Sequence, residues 1–315
     1  MRLHDDTVRC GVHSGQQYRT FDEVLELWRR AEEAGYDWVS VFDHLRPHLT
    51  GPDGPCFEGP TLLAALAAST RRVRCAILVS AVSWRHPALL ANIASTLDHI
   101  SGGRIELGLG AGGFDLAHGQ YGMPFPPAAE RLRRLDESCQ VIRRLWERPV
   151  TDFDGTYYSL REAHLRPRPV QSRLPLTVGG SGERHLLRIA AAHADTWNSL
   201  FTTPEEYAHR REVLTAHARD LGRDPASIRG SLTFRAVLGD DPREVAERRE
   251  RIATTVPADL PEYAFFGTPE ECVERLTPYL RLGVRDFLLG LRPPVDHRTL
   301  DLFAERVAPV LRASL

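Results

Sequence analysis

Short apolar, β-branched runs alternate with longer segments of helical hydrophobic period along the whole chain. Eight runs are predicted to be strands, and each is followed by a helical pattern. The predicted strands are Thr7–Val12, Trp38–Phe42, Val73–Val79, Arg104–Leu109, Leu174–Val178, Asp195–Ser199, Ile228–Phe234 and Val284–Leu289. Such alternation predicts a parallel α/β sheet, and eight units favour a closed (β/α)8 TIM barrel over an open, doubly wound sheet.

The predicted helices account for most of the remaining chain. They are Phe21–Ala34, Thr61–Ser69, Pro87–His99, Glu130–Trp146, Glu183–His193, Pro204–Leu221, Pro242–Ala253, Pro269–Leu282 and Arg298–Leu311. Two segments are surplus to a barrel. Thr151–Arg173 is polar and punctuated by proline, and Pro257–Gly267 interrupts the seventh unit, so we predict insertions at both places. No flexible linker divides the chain, which predicts one domain over residues 1–315.

Composition excludes several classes of protein. The charged fraction is 26% and the net charge is −2, with no dense basic tract, so we expect no nucleic-acid partner. No apolar stretch approaches the roughly 18–20 residues of a membrane span. The five cysteines are far apart and form no CxxC pair. This spacing indicates reduced thiols, and with no signal-peptide pattern in the first six residues it predicts a cytoplasmic protein.

The C-terminal ends of the strands form the functional face of a (β/α)8 barrel. Asp43 and His44 directly follow the second predicted strand. Imidazole is the side chain best suited to proton transfer near neutral pH, so we predict this role for His44, with Asp43 fixing the ring or the loop. His13, at the end of the first strand, is a second candidate. The alternative for each isolated histidine is a structural role.

Two glycine clusters also lie at strand ends. Gly179–Glu183 exposes backbone N–H groups where a helix is predicted to begin, which suits a phosphate; the alternative is an ordinary turn capped by Ser181. Gly108–Gly113 leaves bare backbone on which a flat ring can lie; the alternative is a bend or bulge in the strand. The sequence contains no metal-ligand constellation and no GxSxG nucleophile motif.

Several segments occur together in a characteristic order. They are Ala31–Trp38 leading into Val41–His44, Trp84–Ala91, Thr96–Arg104 leading into Gly108–Gly112, Arg166–Gln171, Val178–Glu183 and Ala194–Asn198. Together they resemble the luciferase-like monooxygenase superfamily, and most closely its branch of oxidoreductases that depend on the deazaflavin coenzyme F420. The resemblance extends from about residue 10 to residue 200.

The resemblance implies a barrel with an insertion after the fourth strand/helix unit, and it assigns site residues. His44 would transfer a proton, with Asp43 beside it. Leu78, Val79 and Ser80 would form a bulge behind the cofactor ring, often with a non-prolyl cis peptide. The cofactor would also contact Gly110, Ala111, Gly112, Val178, Gly179, Gly180, Ser181, Gly182, Glu183 and Asn198. The substrate pocket would include His13, Ser14, Gly113, Phe114 and His118. Gly113 and Ala117 replace an aromatic and an acidic residue common in the family, which predicts a roomier pocket.

The leading functional prediction is hydride transfer between coenzyme F420 and a small organic substrate. The first alternative is an FMN-dependent monooxygenase that uses molecular oxygen and a separate flavin reductase. The second is a non-catalytic barrel that binds a flavin or another phosphorylated ligand. A sugar-phosphate barrel enzyme is disfavoured because the chain has no lysine and no paired carboxylates at strand ends. Arg166, Arg168 and Arg184 are candidates for the charged F420 tail, and relatives suggest a homodimer formed through barrel helices.

Overall fold

A computed structural model describes residues 6–47, 53–113, 115–253, 264–291 and 295–314. The strands in these ranges are β1 Arg9–Ser14, β2 Trp38–Val41, β3 Arg74–Ala81, β4 Ile105–Gly110, β5 Thr151–Asp154, β6 Ser159–Ala163, β7 Leu176–Gly179, β8 Thr196–Leu200, β9 Arg229–Leu238, β10 Ala264–Gly267 and β11 Val284–Leu291. The helices are α1 Phe21–Glu33, α2 Gly59–Ser69, α3 Pro87–Ser101, α4 Asp115–Gln120, α5 Ala128–Glu147, α6 Leu186–His193, α7 Pro204–Asp220, α8 Pro242–Ala253, α9 Pro269–Arg281, α10 His297–Leu302 and α11 Ala308–Ala313. A 3-10 turn at Pro225–Ser227 precedes β9, and a π-helical turn at Phe303–Val307 joins α10 to α11.

Eight parallel strands close into a barrel in the order β1, β2, β3, β4, β7, β8, β9 and β11. The closure is completed by β11, which pairs with both β9 and β1, for example Cys10 with Phe287. The helices between the strands cover the outside of the barrel. The predicted (β/α)8 fold is therefore confirmed, and all eight predicted strands overlap the observed ones.

Helix α1 illustrates how the local sequence builds the outer layer. Thr20 and Glu23 form a reciprocal capping box at its start, and Gly35 follows its end with φ +81°. Its buried positions, Val24, Leu27, Trp28 and Ala31, recur at helical spacing and face the barrel. The apolar stripe thus orients the helix, while the capping residues determine where it begins and ends.

The insertion after the fourth unit differs from the polar excursion that its composition predicts. It contains an antiparallel hairpin of β5 and β6, in which Phe153 pairs with Leu160. Both side chains are buried against α5 and its neighbours, whereas the residues that flank them are exposed. Two apolar positions in strands of four and five residues are too few to reveal a period of two in the sequence.

The second surplus segment lies partly outside the described residues, because the structure describes nothing between 254 and 263. Its last residues form β10, which pairs with the far end of β9 and adds a ninth strand beside the barrel. The strand prediction for the seventh unit was too short, since β9 continues from Phe234 to Leu238. Similarly, β11 continues to Leu291, two residues beyond the predicted end.

Several predicted helix boundaries were also wrong; α5, for example, begins at Ala128 rather than Glu130. Helix α6 begins at Leu186 rather than Glu183, because residues 183–185 form turns. Helix α2 begins at Gly59, since the carboxylate of Glu58 accepts a hydrogen bond from the amide of Thr61 at 2.7 Å and caps the helix two residues early. The closing helix, predicted as one piece, is interrupted by the π-helical turn.

A buried ion network fills the end of the barrel where the strands begin. Arg9 donates to both Asp286 oxygens, at 2.8 and 2.6 Å, and to Glu106 at 2.7 Å. Arg229 donates to Asp286 at 2.7 Å, and Arg74 contacts Glu106. Burial raises the pKa of Glu106, but Arg9 and Arg74 outweigh this effect and the pKa falls to about 2.

In the described part of the chain no helix is long and apolar enough to cross a membrane.

Candidate active site

The opposite end of the barrel, where the strands finish, encloses a cavity of about 530 Å³. That volume lies in the range of small-molecule and cofactor sites. Residues from all eight barrel strands or the segments that follow them line it, including His118 on α4 and Leu186 on α6. They are His13, Gly15, Phe42, Asp43, His44, Leu78, Val79, Ala81, Trp84, Gly110, Ala111, Gly112, Gly113, His118, Gly179, Gly180, Leu186, Asn198, Leu200, Phe201, Arg235, Gly290 and Leu291.

One wall of the cavity is formed by a bulge in β3. The peptide bond between Leu78 and Val79 is cis, and the pairing of β3 with β4 shifts register between Ile77 and Ser80. A Cβ atom on Gly110 would lie 2.7 Å from Cγ2 of Val79, and one on Gly179 would lie 2.8 Å from Cγ1. These two glycines on β4 and β7 therefore make room for the Val79 side chain.

Asp43 ties this bulge to the loops around it. Its buried carboxylate accepts a hydrogen bond from Oγ of Ser80 at 2.5 Å, and Arg85 donates to both of its oxygens, at 2.5 and 3.1 Å. Arg85 also contacts Glu58, the capping residue of α2. Burial raises the pKa of Asp43, and Arg85 and Ser80 oppose that shift. The carboxylate is thus an anchor between β3, α2 and the loop that carries His44.

His44 is the candidate proton carrier, and its surroundings keep it neutral. Its half-buried ring lies edge-on to Phe42, with ring centroids 5.0 Å apart. Burial, assisted by the neighbouring His13, lowers the pKa of His44 to about 4. Nδ1 of His13 lies 2.8 Å from Oγ of Ser40, which holds that ring against β2. A neutral imidazole on the wall of the cavity can accept a proton at pH 7.

The turn after β7 presents backbone donors at the rim of the cavity. The N–H groups of Ser181, Gly182 and Glu183 donate to no acceptor within the described ranges, and all three residues are exposed. The Glu183 carboxylate lies 3.1 Å from Nε2 of His209 on α7. Unpaired amides in a turn that leads toward a helix can bind an anionic group.

Asn198 lies on β8, next to that turn. Its amide nitrogen donates to Ser231 at 2.9 Å and to Thr233 at 3.1 Å. These two bonds fix the orientation of the side chain. Its carbonyl oxygen, although buried, has no hydrogen-bond partner among the residues the structure describes. An unpaired buried acceptor on a cavity wall indicates that a bound group completes its hydrogen bonding.

The comparisons with known proteins identify the family. Residues 5–264 match the model of the luciferase-like monooxygenase family. The chain belongs to this family. A curated relative, an F420-dependent glucose-6-phosphate dehydrogenase of Beutenbergia cavernae, is 31% identical over 97% of this chain and 98% of its own length. Its activity is in keeping with the predicted oxidoreductase, and the predicted family is confirmed.

Solved structures share the fold at lower identity. An F420-dependent secondary alcohol dehydrogenase in complex with an F420–acetone adduct is 22% identical, with a TM-score of 0.84 over 97% of this chain and 99% of that one. A riboflavin lyase with modified FMN and riboflavin is 19% identical, with a TM-score of 0.83 over 98% of this chain and 92% of that one. At these identities the likeness establishes the luciferase-like barrel only.

The structure separates the predicted site residues of this luciferase-like barrel into three groups. On the cavity wall lie His13, Asp43, His44, Leu78, Val79, Gly110, Ala111, Gly112, Gly113, His118, Gly179, Gly180 and Asn198. Ser181, Gly182 and Glu183 lie at the exposed rim. Behind the wall, Ser80 is bonded to Asp43, Val178 is in the core, and the Ser14 hydroxyl accepts from Trp28 at 3.2 Å. Phe114 lies outside the described residues.

Two of the three arginines named for an F420 tail make other contacts. Arg168 donates to the carbonyl of Trp146 at 2.9 Å, and Arg166 to that of Leu165 at 3.1 Å. Neither lines the cavity. Arg184 is exposed beside the rim amides.

Some wall residues were missed in the sequence. Arg235 directly follows the predicted seventh strand, and Gly290 directly follows the predicted eighth, so the rule that strand ends carry function would have identified both. Phe201 lies one residue beyond β8, with φ +44°. The sequence shows Trp84 only as part of the Trp84–Ala91 motif, whereas in the structure its indole N–H donates to the Asp43 carbonyl at 3.0 Å. No group of three or more metal-binding side chains occurs within the described ranges.

Proposed function

We propose that this protein is an F420-dependent oxidoreductase that transfers a hydride between the deazaflavin and a small organic substrate. The observation that carries the proposal is the half-buried His44 ring on the wall of the cavity, where burial and the neighbouring His13 lower its pKa to about 4. The 31% identical relative named as an F420-dependent dehydrogenase supports the choice of cofactor. When bound, the deazaflavin supplies the two-electron acceptor or donor, while the protein supplies orientation and proton transfer.

The residues present fit such a cofactor. A flat ring needs a smooth wall, and Val79, Ala111 and the neighbouring glycines leave little side chain on that part of the cavity. An acceptor such as Oδ1 of Asn198 suits a ring N–H group. The amides of residues 181–183, which donate to no acceptor among the described residues, suit the phosphate of the cofactor.

Each residue then has a defined task. His44 accepts the proton of a substrate hydroxyl, and its lowered pKa leaves the ring unprotonated at neutral pH. Asp43 is a positioning residue, because both of its oxygens hold Ser80 and Arg85. The apolar side chains around the cavity exclude water from the reacting atoms.

The first experiment is a titration of the apo-protein with F420 and FMN side by side, in which binding is monitored by fluorescence.

Gly182 is the position at which to test whether the rim amides bind the phosphate. A Cβ there would be 3.5 Å from the nearest atom, Cβ of Leu186, so Gly182→Ala is a tolerated control. Gly182→Asp adds a carboxylate beside the amides and should weaken F420 binding by about tenfold or more. Equal binding by both variants would remove the rim from the phosphate site.

Gly180→Val is a less informative test of the same turn. Gly180 has φ +133°, and a Cβ there would lie 2.7 Å from Cδ1 of Leu186. Strain and a clash inside the protein would accompany any loss of cofactor binding, so the cause of the loss would be ambiguous.

The FMN-dependent monooxygenase is the second candidate, and the fold shared with a riboflavin lyase that holds modified FMN supports keeping it. Tight FMN binding with weak F420 binding would favour it and would require a separate flavin reductase. Binding of either cofactor without turnover on any alcohol, ketone or aldehyde would favour the non-catalytic barrel.

Two further expectations belong to the same proposal. The protein is proposed to act as a homodimer in the cytoplasm, and the free thiols of all five cysteines are in keeping with a reducing compartment. Analytical ultracentrifugation of the purified protein tests the dimer, and fractionation of the source cells tests the location.

A further inference from the structure

A second concavity lies beside the turn after β7, outside the active-site cavity. It is a groove of about 510 Å³ between α5, the turn of the β5–β6 hairpin and α6. We call it the hairpin groove. Apolar and cationic side chains both contribute to its lining, among them Leu132, Arg133, Tyr157, His185, Arg188 and Ile189. The mechanism proposed above uses none of these residues.

The groove and the active-site cavity lie on two sides of the same turn. His185 lines the groove, and Leu186, the next residue, lines the cavity. The rim amides of residues 181–183 directly precede both in the chain. The turn is compact, because the amide of Leu187 donates to the carbonyl of Gly182 at 3.0 Å. A molecule whose phosphate binds the rim amides can therefore continue into the groove.

The two carboxylates that line the groove already have partners within the protein. Asp136 lies 2.8 Å from Nε2 of His193 and accepts a hydrogen bond from Nε2 of Gln140 at 2.9 Å. Glu137 accepts from two backbone N–H groups of the hairpin turn, at 2.8 and 2.9 Å, one at each oxygen. These bonds engage all four carboxylate oxygens, and those of Glu137 hold the hairpin turn against α5.

The arginines of the groove, by contrast, retain unused donors. Nε of Arg133 donates to the Tyr157 hydroxyl at 2.8 Å, and its two terminal nitrogens donate to no acceptor in the described part of the chain. Arg188 is exposed on α6 and forms neither a hydrogen bond nor an ion pair with any described residue. The carboxylate of Glu183, at the rim, is turned to His209 on α7. Guanidinium groups bind carboxylates well, so the groove suits an acidic ligand with an apolar stem.

We propose that the hairpin groove binds the acidic tail of the deazaflavin cofactor, with Arg133 and Arg188 as the contacts for its carboxylates. This inference rests on the proposed function and deepens it. Beyond its phosphate, coenzyme F420 carries a chain of glutamyl units, whose methylene groups suit the apolar side chains of the groove and whose free carboxylates suit the arginines. FMN ends at its phosphate, so the groove favours F420 over FMN. The hairpin insertion thereby acquires a function, since its turn forms one side of the groove.

The test separates the tail from the rest of the cofactor. F420 and its des-glutamyl form, which retains the ring and the phosphate, are titrated into the apo-protein, and binding is monitored by deazaflavin fluorescence. We expect F420 to bind about tenfold more tightly at low salt, and this advantage to shrink at high salt because exposed ion pairs are screened. Equal affinities for the two forms would overturn the inference and leave the proposed function standing. If neither form binds, both are overturned.

Variants of the groove locate the effect. Arg188→Glu should weaken F420 binding about tenfold at low salt and change the affinity for the des-glutamyl form less than about twofold. Arg133→Gln removes the charge but keeps an N–H donor for Tyr157, and should give a smaller loss that is again specific to F420. Arg281→Glu, at the exposed end of α9, is the control, because it changes the net charge equally and should alter neither affinity. Equal losses for both cofactor forms in Arg188→Glu, or unchanged F420 affinity in that folded variant, would remove the groove from tail binding.

Discussion

The two ends of the barrel bury polar side chains in opposite ways. Where the strands begin, three arginines and two carboxylates contact one another inside the protein, with Asp286 bonded to both Arg9 and Arg229. Where the strands finish, the buried Oδ1 of Asn198 has no partner among the described residues, and burial beside His13 keeps His44 neutral. The first end is a closed network, and the second leaves hydrogen-bonding capacity directed at the cavity.

The difference separates stability from function within one fold. A buried charge that loses its partner is costly, so changes in the closed network should unfold the protein without a specific effect on ligand binding. Groups with unused hydrogen-bonding or proton-accepting capacity contribute less to folding, but they can act on a bound molecule. Changes at the other end should therefore reduce turnover more than stability.

The largest expected loss of stability comes from Asp286→Asn. Asparagine cannot neutralise Arg9 and Arg229, so we expect the free energy of unfolding to fall by about 3–5 kcal/mol in urea titrations. Asp301→Asn is the matched control. Asp301 pairs with Arg30 at the surface, and its loss should cost roughly 0–1 kcal/mol. Similar losses in the two variants would contradict the distinction between the closed network and an ordinary ion pair.

The largest expected loss of activity comes from His44→Ala. Removal of a proton-transfer group typically lowers the rate by about 10²–10⁴-fold, so kcat should fall by that factor. F420 affinity and the midpoint of thermal unfolding should change little. Unchanged kcat would exclude His44 from proton transfer.

The pH dependence of the unmodified enzyme provides an independent check on His44. Because its pKa in the folded protein is about 4, the imidazole stays basic as the pH falls through the usual histidine range. We therefore expect kcat/KM for substrate oxidation to stay level down to about pH 5 and to decline near pH 4. A decline centred near pH 6.5 would indicate a normal imidazole.

Acid pH should also weaken the closed network and lower the free energy of unfolding. Glu106 has a pKa of about 2 in the folded protein, below its ordinary value of 4.5. A lowered pKa contributes stability above pH 4.5, and that contribution is lost as the pH falls toward 2. The shift corresponds to about 3 kcal/mol. Urea titrations between pH 5 and pH 2 measure the loss, and Glu106→Gln should remove this part of the pH dependence while lowering stability throughout.

The smallest of these effects is expected for Asp43→Asn. The amide keeps a partner for Ser80 but leaves Glu58 as the remaining carboxylate bonded to Arg85, so the loop with His44 should lose part of its alignment. We expect kcat to fall by about tenfold, with KM changed less. Arg85→Lys retains the charge but not the two-pronged contact, and should give an intermediate value. If kcat is unchanged in both, Asp43 is only a cap for the loop.

Much of the fold was predictable because helices and strands have their own short periods. The stripe of Val24, Leu27, Trp28 and Ala31 and the capping box at Thr20 are both visible in the sequence. The hairpin of β5 and β6 was not visible, because Phe153 and Leu160 form an apolar pair only when the two strands meet across the turn. The extension of β9 likewise depends on β10, which pairs with its far end.

The candidate site likewise contains some features that the sequence predicted and others that only the structure shows. Asp43, His44 and the glycine turn after β7 follow predicted strands directly, so chain position alone identified them. The partners of these residues did not follow from position. Arg85 meets Asp43 across a gap of 42 residues, and Gly110 and Gly179 are small because Val79, on another strand, points between them.

The sequence by itself determined the order of the elements, the class of barrel and the end of the barrel that carries the candidate site. These features depend on the hydrophobic period and on the turn and capping residues of neighbouring positions. Only the tertiary structure decided which polar groups are paired and which remain unpaired. Arg9 and Asp286 lie 277 residues apart and meet because the barrel closes. The pKa of a buried group depends on such partners, so the lowered pKa of His44 and the closed charge network follow from the packed fold.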